Sequence, residues 1–155
     1  MFVILKHVVN WSFHEELSRK PIAINSSIFI LYWYIMENDE LCIKIAKIDP
    51  KIRFSGLINQ RGRLIAGGMV TKVKSLEDEK KDEMLYMELA LRVKMRQEFD
   101  ADFGHVHFSL SYREKLIVMS FPMGKNVLLV SMDKRKSFDE IPFKIVKIIE
   151  KFTSS

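Results

Sequence analysis

At 155 residues, with 48% hydrophobic and 29% charged residues, the chain has the length and composition of one globular domain, which excludes a disordered tail, a fibre and a collagen-like repeat. A single cysteine, Cys42, cannot build a disulfide framework. The net charge of +5 is compatible with nucleic acid or an anionic membrane surface but singles out neither, because the two signs interleave and the longest basic run is Lys134-Arg135-Lys136.

Residues 1 to 35 hold both tryptophans and none of the six glycines, and they lack a sustained period of 3.6 or 2 bounded by caps and turns. They read as an N-terminal extension of uncertain order, with Met36 as an alternative natural start and the domain proper at 36–155. The most apolar window, Ile28 to Ile35, is far short of the ~20 residues that span a bilayer. No small-residue cleavage site follows an apolar stretch of signal-peptide length, so a cytoplasmic protein without a membrane span is expected.

From Glu37 onward the punctuation is legible. Asn38 is a candidate cap for a short helix whose Leu41, Ile45 and Ile48 share a face, and Pro50 ends it. Ile52 to Ile58 reads as a strand, Asn59-Gln60-Arg61-Gly62 as a tight turn, and Arg63 to Met69 as the returning strand of a β-hairpin. Thr71 to Lys81 is charged and aperiodic, hence a loop. Asp82 to Phe103 predicts one long helix: Met84, Met87, Leu91 and Met95 form one stripe, and Leu85, Leu89 and Val93 load the flank beside it. That apolar arc is wider than one sheet needs, which implies a second contact surface.

Gly104 is the expected stop of that helix. His105 to Ser111, Lys115 to Met123 and Asn126 to Met132 then predict a three-stranded meander, in which Val106, Phe108 and Leu110 alternate along an edge strand. Ser137 and Glu140 have capping-box spacing, and Ile141, Ile145, Ile148, Ile149 and Phe152 predict the apolar face of a final helix. The fold class is therefore α+β, a five-stranded antiparallel sheet in the order α-β-β-α-β-β-β-α.

Enzymatic constellations fail on their own spacing. Gly67-Gly68 lacks the spaced glycines and Lys-Ser/Thr of a phosphate loop, and Cys42 sits on a predicted helix with no histidine near it, as a small core residue does. His105-x-His107 would point two imidazoles to one face of a strand, but a third metal ligand is not identifiable. Glu88 and Arg92 form an i, i+4 pair, and the bases around them have no interleaved aromatic to stack nucleotides. No catalytic residue, cofactor, metal or nucleic-acid partner is expected.

The run Ile52-Arg53-Phe54-Ser55-Gly56-Leu57-Ile58-Asn59-Gln60-Arg61-Gly62-Arg63-Leu64-Ile65-Ala66-Gly67-Gly68 resembles the first hairpin of roadblock/LC7 domains, which belong to the longin-like folds, and the order of elements matches theirs. More narrowly, the stretches from Asp82 to Arg92 and from Lys115 to Pro122 resemble an archaeal group of roadblock-like proteins whose role is uncharacterised. The resemblance covers about Glu37 to Lys151. It implies helices on both faces of the sheet and a dimer formed by the long helix and the first meander strand. A homodimer or a pair with a related roadblock subunit would then serve as a platform for a small GTPase. The interface expected from the apolar arc and this resemblance comprises Met84, Met87, Leu91, Met95, Val106, Phe108 and Leu110. A small-molecule sensor of related fold is the alternative, which a pocket lined by Met and Phe would favour.

Overall fold

The computed structural model describes residues 26–70, 79–134 and 136–154. His7, His14, most of the predicted loop from Thr71 to Lys81, and Arg135 lie outside the described residues. The chain divides into two units, Met1–Tyr34 and Ile35–Ser155.

Helix α1 covers Ser26–Ala46, so it begins well before the cap expected at Asn38 and passes through Met36 without a break. Nothing between Ser26 and Ala46 is Gly or Pro, and the apolar window Ile28 to Ile35 continues the helix upstream. Asn38 and Asp39 are consequently interior helical residues, and both are held by tertiary structure: Asn38 is buried, and Asp39 bonds a strand.

The second unit is built on a sheet of β1 (Ile52–Ile58), β2 (Leu64–Met69), β3 (Ser109–Tyr112), β4 (Leu116–Met123) and β5 (Asn126–Asp133). Its order is β2-β1-β5-β4-β3, with every pair antiparallel. The elements follow the α-β-β-α-β-β-β-α order expected from sequence, with one extra helical turn. Helix α2 is Glu79–Gln97, the extra turn α3 is Asp100–Phe103, and α4 is Glu140–Thr153.

Alternation along the strands separates two cores. Leu57, Ile117, Met119, Phe121, Leu128 and Val130 point to one face and pack with Leu41, Cys42 and Ile45 of α1 and Ile141 and Ile145 of α4. Phe54, Ile58, Val118, Val127 and Leu129 point to the other, against Leu89 and Val93 of α2. Ile52 and Phe54 have the same parity yet lie on opposite faces, because the β1–β5 register shifts between them. An extra residue in one strand reverses the side-chain alternation beyond it.

Other features also differ from the sequence expectation, beginning with α2, which starts at Glu79 inside the loop expected to reach Lys81. The single helix expected over Asp82 to Phe103 is two, because Phe99 (φ −102°, ψ 3°) leaves α-helical geometry and its N–H turns back to the Arg96 carbonyl at 3.1 Å. The strand expected from His105 begins only at Ser109. The β4–β5 ladder runs through Pro122, whereas the β3–β4 ladder ends at the pair Ser109–Ser120. Proline has no N–H to donate, which agrees with the ladder stopping on that side. Finally, no capping box forms at α4: Asp139 is the cap residue without a side-chain cap bond, and Ser137 Oγ donates to Asp139 Oδ1 at 2.9 Å. Pro142 falls in the first turn of α4, where helical N–H groups have no intrahelical partner.

Candidate interaction surface

Helix α2 covers one sheet face with Leu89, Ala90 and Val93 buried and Leu85 and Tyr86 half-buried beside them. The neighbouring stripe turns away from the sheet. Met84, Met87, Leu91 and Met95 are 70%, 60%, 59% and 60% exposed. Their spacing of three, four and four residues places them in one row along the helix. The flank therefore serves the protein's own core, and the stripe is a continuous apolar surface of flexible thioethers and one leucine. Glu88 and Arg92 form their i, i+4 ion pair at 2.5 Å beside it.

The hairpin turn anchors the middle of this row. Gly62, at φ +69°, lies so close to α2 that a Cβ there would come within 2.6 Å of the Met87 backbone. The turn itself is held by Asn59, whose Oδ1 accepts from the N–H groups of Arg61 at 2.9 Å and Arg63 at 3.1 Å. Beside Met87 and Leu91 the two hairpin turns leave a groove of about 430 Å³, rimmed by Gln60, Arg61, Lys94 and Lys125. Helical periodicity singles out the stripe but is silent about Arg61 and Lys125, which reach α2 only through the sheet. On the buried side, Tyr86 lies 5.8 Å from the ring of Phe54. Burial, reinforced by the charge of Asp82, pushes its phenol up to about 12.

The remaining expected interface residues sit elsewhere. Phe108 and Leu110 are half-buried against the core on the α1 and α4 face, the opposite face from α2. Phe108 stands 5.9 Å from the Phe121 ring and edge-on to Phe143 at 5.4 Å. Val106 lines a groove of about 470 Å³ with Val93, Arg96, Asp100, His105, His107 and Glu150. The sheet thus separates Phe108 and Leu110 from the methionine stripe, while the backbone of β3 remains the outer edge of the sheet.

His105 and His107 precede β3, so strand alternation does not set their directions. His105 Nδ1 lies 2.8 Å from Asp100 Oδ2. Among the described residues no three His, Cys, Asp or Glu side chains converge as a metal site would require. Cys42 is buried in the α1 core, as expected. Among the same residues, no helix is long and apolar enough to cross a membrane.

A five-stranded antiparallel sheet in this order, with one long helix on one face and two helices on the other, defines the class: the fold is that of roadblock/LC7 domains. The chain belongs to the family described as "Family of unknown function (DUF6659)", whose model matches residues 33–154. Among solved structures it is similar to a roadblock/LC7 domain from Streptomyces avermitilis, with 9% identity, a TM-score of 0.57, and coverage of 75% of this chain and 94% of that one. It is similar also to the gliding protein MglB of Thermus thermophilus (10% identity, TM-score 0.60, 77% and 90% covered). The MglB of Myxococcus xanthus is 19% identical, with a TM-score of 0.59 and 76% and 93% covered. No curated protein matches the sequence significantly.

Proposed function

We propose that this chain is a non-enzymatic, dimerising protein-interaction module of roadblock type that acts in the cytoplasm as a regulator or scaffold for a small GTPase. The module is residues 36–155, with residues 1–35 as an extension to it. The observation that carries the reading is the exposed row Met84, Met87, Leu91 and Met95, an apolar strip that the protein's own core does not use. Such a row on a helix is covered in solution by another apolar surface. A second copy or a related roadblock subunit offers the same strip across a two-fold axis. The open edge of β3, which carries Leu110 and is preceded by Val106 and Phe108, would pair with its own copy as a second part of the interface.

The GTPase is the finer part of the proposal and rests on analogy of fold, which does not by itself fix function. Sedimentation of the chain at tens of micromolar, the order at which a weak dimer populates, tests the assembly; a monomer there overturns it. The GTPase role is tested by binding to the GTPases encoded beside it, each loaded with either nucleotide. A regulator binds one nucleotide state more tightly, since only differential affinity couples it to a switch. Equal or absent binding removes that role and leaves the dimeric module standing.

A further inference from the structure

Cations far apart in sequence meet at one end of the sheet. The Asp133 N–H donates to the Lys51 carbonyl at 2.9 Å, the Lys134 N–H to the Lys115 carbonyl at 3.4 Å, and the Arg113 N–H to the Leu116 carbonyl at 2.9 Å. Leu116 is itself paired with Asp133. Lys51, Arg113, Lys115 and Lys134 therefore line one rim formed by the start of β1, the β3–β4 turn and the end of β5, and Lys136 follows two residues on. All five are exposed. The acids of this rim do not cancel them. Asp133 is engaged by Arg53 at 2.9 Å, and Asp49 is buried and accepts from the Lys51 N–H at 2.8 Å. Among the described residues, Glu114 is exposed within the rim and Asp139 is exposed beside Phe138 at its margin, so the cations remain in excess.

Like charges on one rim repel one another, and an anion brought to the rim relieves that repulsion. The chemistry of the rim narrows the choice. Four of the five are lysines, compact charges without the planar fork that grips a single carboxylate or phosphate in two places. The aromatic of the rim, Tyr112, has Lys134 Nζ 4.6 Å above its ring and stacks on Phe138 at 5.5 Å, so it is occupied and is not a platform for a nucleic-acid base. Among the described residues the rim is made of strand ends and turns, not of a helix that could lie in a groove. A broad field of lysines on a surface of turns matches a dense array of headgroups, because each basic residue held near an anionic leaflet adds to the attraction.

We propose that this rim docks the protein peripherally on an anionic lipid bilayer. The full chain should co-sediment with phosphatidylcholine vesicles containing about one-third phosphatidylserine and not with pure phosphatidylcholine, and the binding should weaken as salt is raised. The triple variant Lys51→Glu, Lys115→Glu, Lys134→Glu should lose about a hundredfold or more in affinity. A matched variant away from the rim, Arg63→Glu, Lys147→Glu, Lys151→Glu, has the same net charge and should lose less than about threefold. Should charge reversal unfold the rim variant, Lys→Gln at the same three positions serves instead, with the same ordering expected. Equal losses in rim and control variants would show a response to net charge alone and overturn the proposal. So would absence of vesicle binding, or tighter binding at equal salt to duplex DNA or to a poly-glutamate peptide.

Discussion

Asp39 in α1 accepts a hydrogen bond from the backbone N–H of Gly67 in β2, Oδ1 to N at 2.6 Å, and so ties a helix to the outer strand of the sheet. The same glycine has φ +69°, and a Cβ there would approach Cys42 Cβ to 2.7 Å and Sγ to 2.8 Å. Helix, edge strand and cysteine are thus locked at one point. Gly67→Ala is expected to cost about 2–4 kcal/mol, combining overpacking with an unfavourable positive φ. Asp39→Ala, which leaves the strand N–H without its carboxylate, should cost about 1–3 kcal/mol. Urea denaturation of the two variants measures both, and a neutral Gly67→Ala would contradict the close approach.

Two turn glycines provide an internal comparison. Gly62 and Gly124 both have positive φ, +69° and +59°, but a Cβ at Gly62 meets the Met87 backbone whereas one at Gly124 meets nothing within 4 Å. Gly124→Ala should therefore cost only about 1–2 kcal/mol, the conformational penalty. Gly62→Ala should exceed it by about 1–3 kcal/mol because α2 must shift. Equal losses in denaturation midpoints would mean that the turn does not bear on the helix.

Leu89 and Leu91 lie two residues apart on α2, one buried and the other exposed. Leu89→Asp should unfold the domain or cost upwards of about 3 kcal/mol by burying a charge. Leu91→Asp, alone or with Met87→Asp, should keep the melting temperature of the isolated subunit and abolish self-association in sedimentation. Loss of folding in both would mean that the stripe belongs to the internal core.

Tyr86 should titrate near 12 rather than at the ordinary 10.0, chiefly through burial and secondarily through Asp82. The raised value sets the sign: folding favours the neutral phenol, so its contribution is fully present below pH 10 and is lost as pH rises through 12. Phenolate absorbance of the wild type minus that of Tyr86→Phe isolates the group, and Asp82→Asn should lower its midpoint part of the way toward 10.0. A midpoint at the ordinary value would place Tyr86 in solvent.

The hairpin from Ile52 to Met69 and the final helix were legible because their signals are local. Asn59 and Gly62 supply the turn chemistry, and Ile141, Ile145 and Ile149 recur at helical spacing. The wide arc on α2 was legible for the same reason, since periodicity counts faces without knowing what covers them. The alternation of Val106, Phe108 and Leu110 sets the strand start too early because alternation signals packing as well as pairing: Leu110 pairs with Met119 in the ladder, whereas Phe108, ahead of it, uses its ring between Phe121 and Phe143. Asn38 and Asp39 looked like a helix start because short polar side chains favour caps, yet Asp39 finds its partner 28 residues away on Gly67.

Local chemistry thus decides which segments become strands and helices and how wide each apolar face is, because turns, caps and periods act over a few residues. Tertiary structure alone decides which apolar row is buried, where a helix starts or breaks, and which cations become neighbours. Leu89 and Leu91 are chemically identical and differ only in what the sheet covers. Lys51, Lys115 and Lys134 are scattered along the chain, and their shared rim exists only through the hydrogen bonds that join the ends of β1, β4 and β5. Burial and proximity are properties of the assembled surface, set by pairings between residues remote in sequence, so no local pattern encodes them.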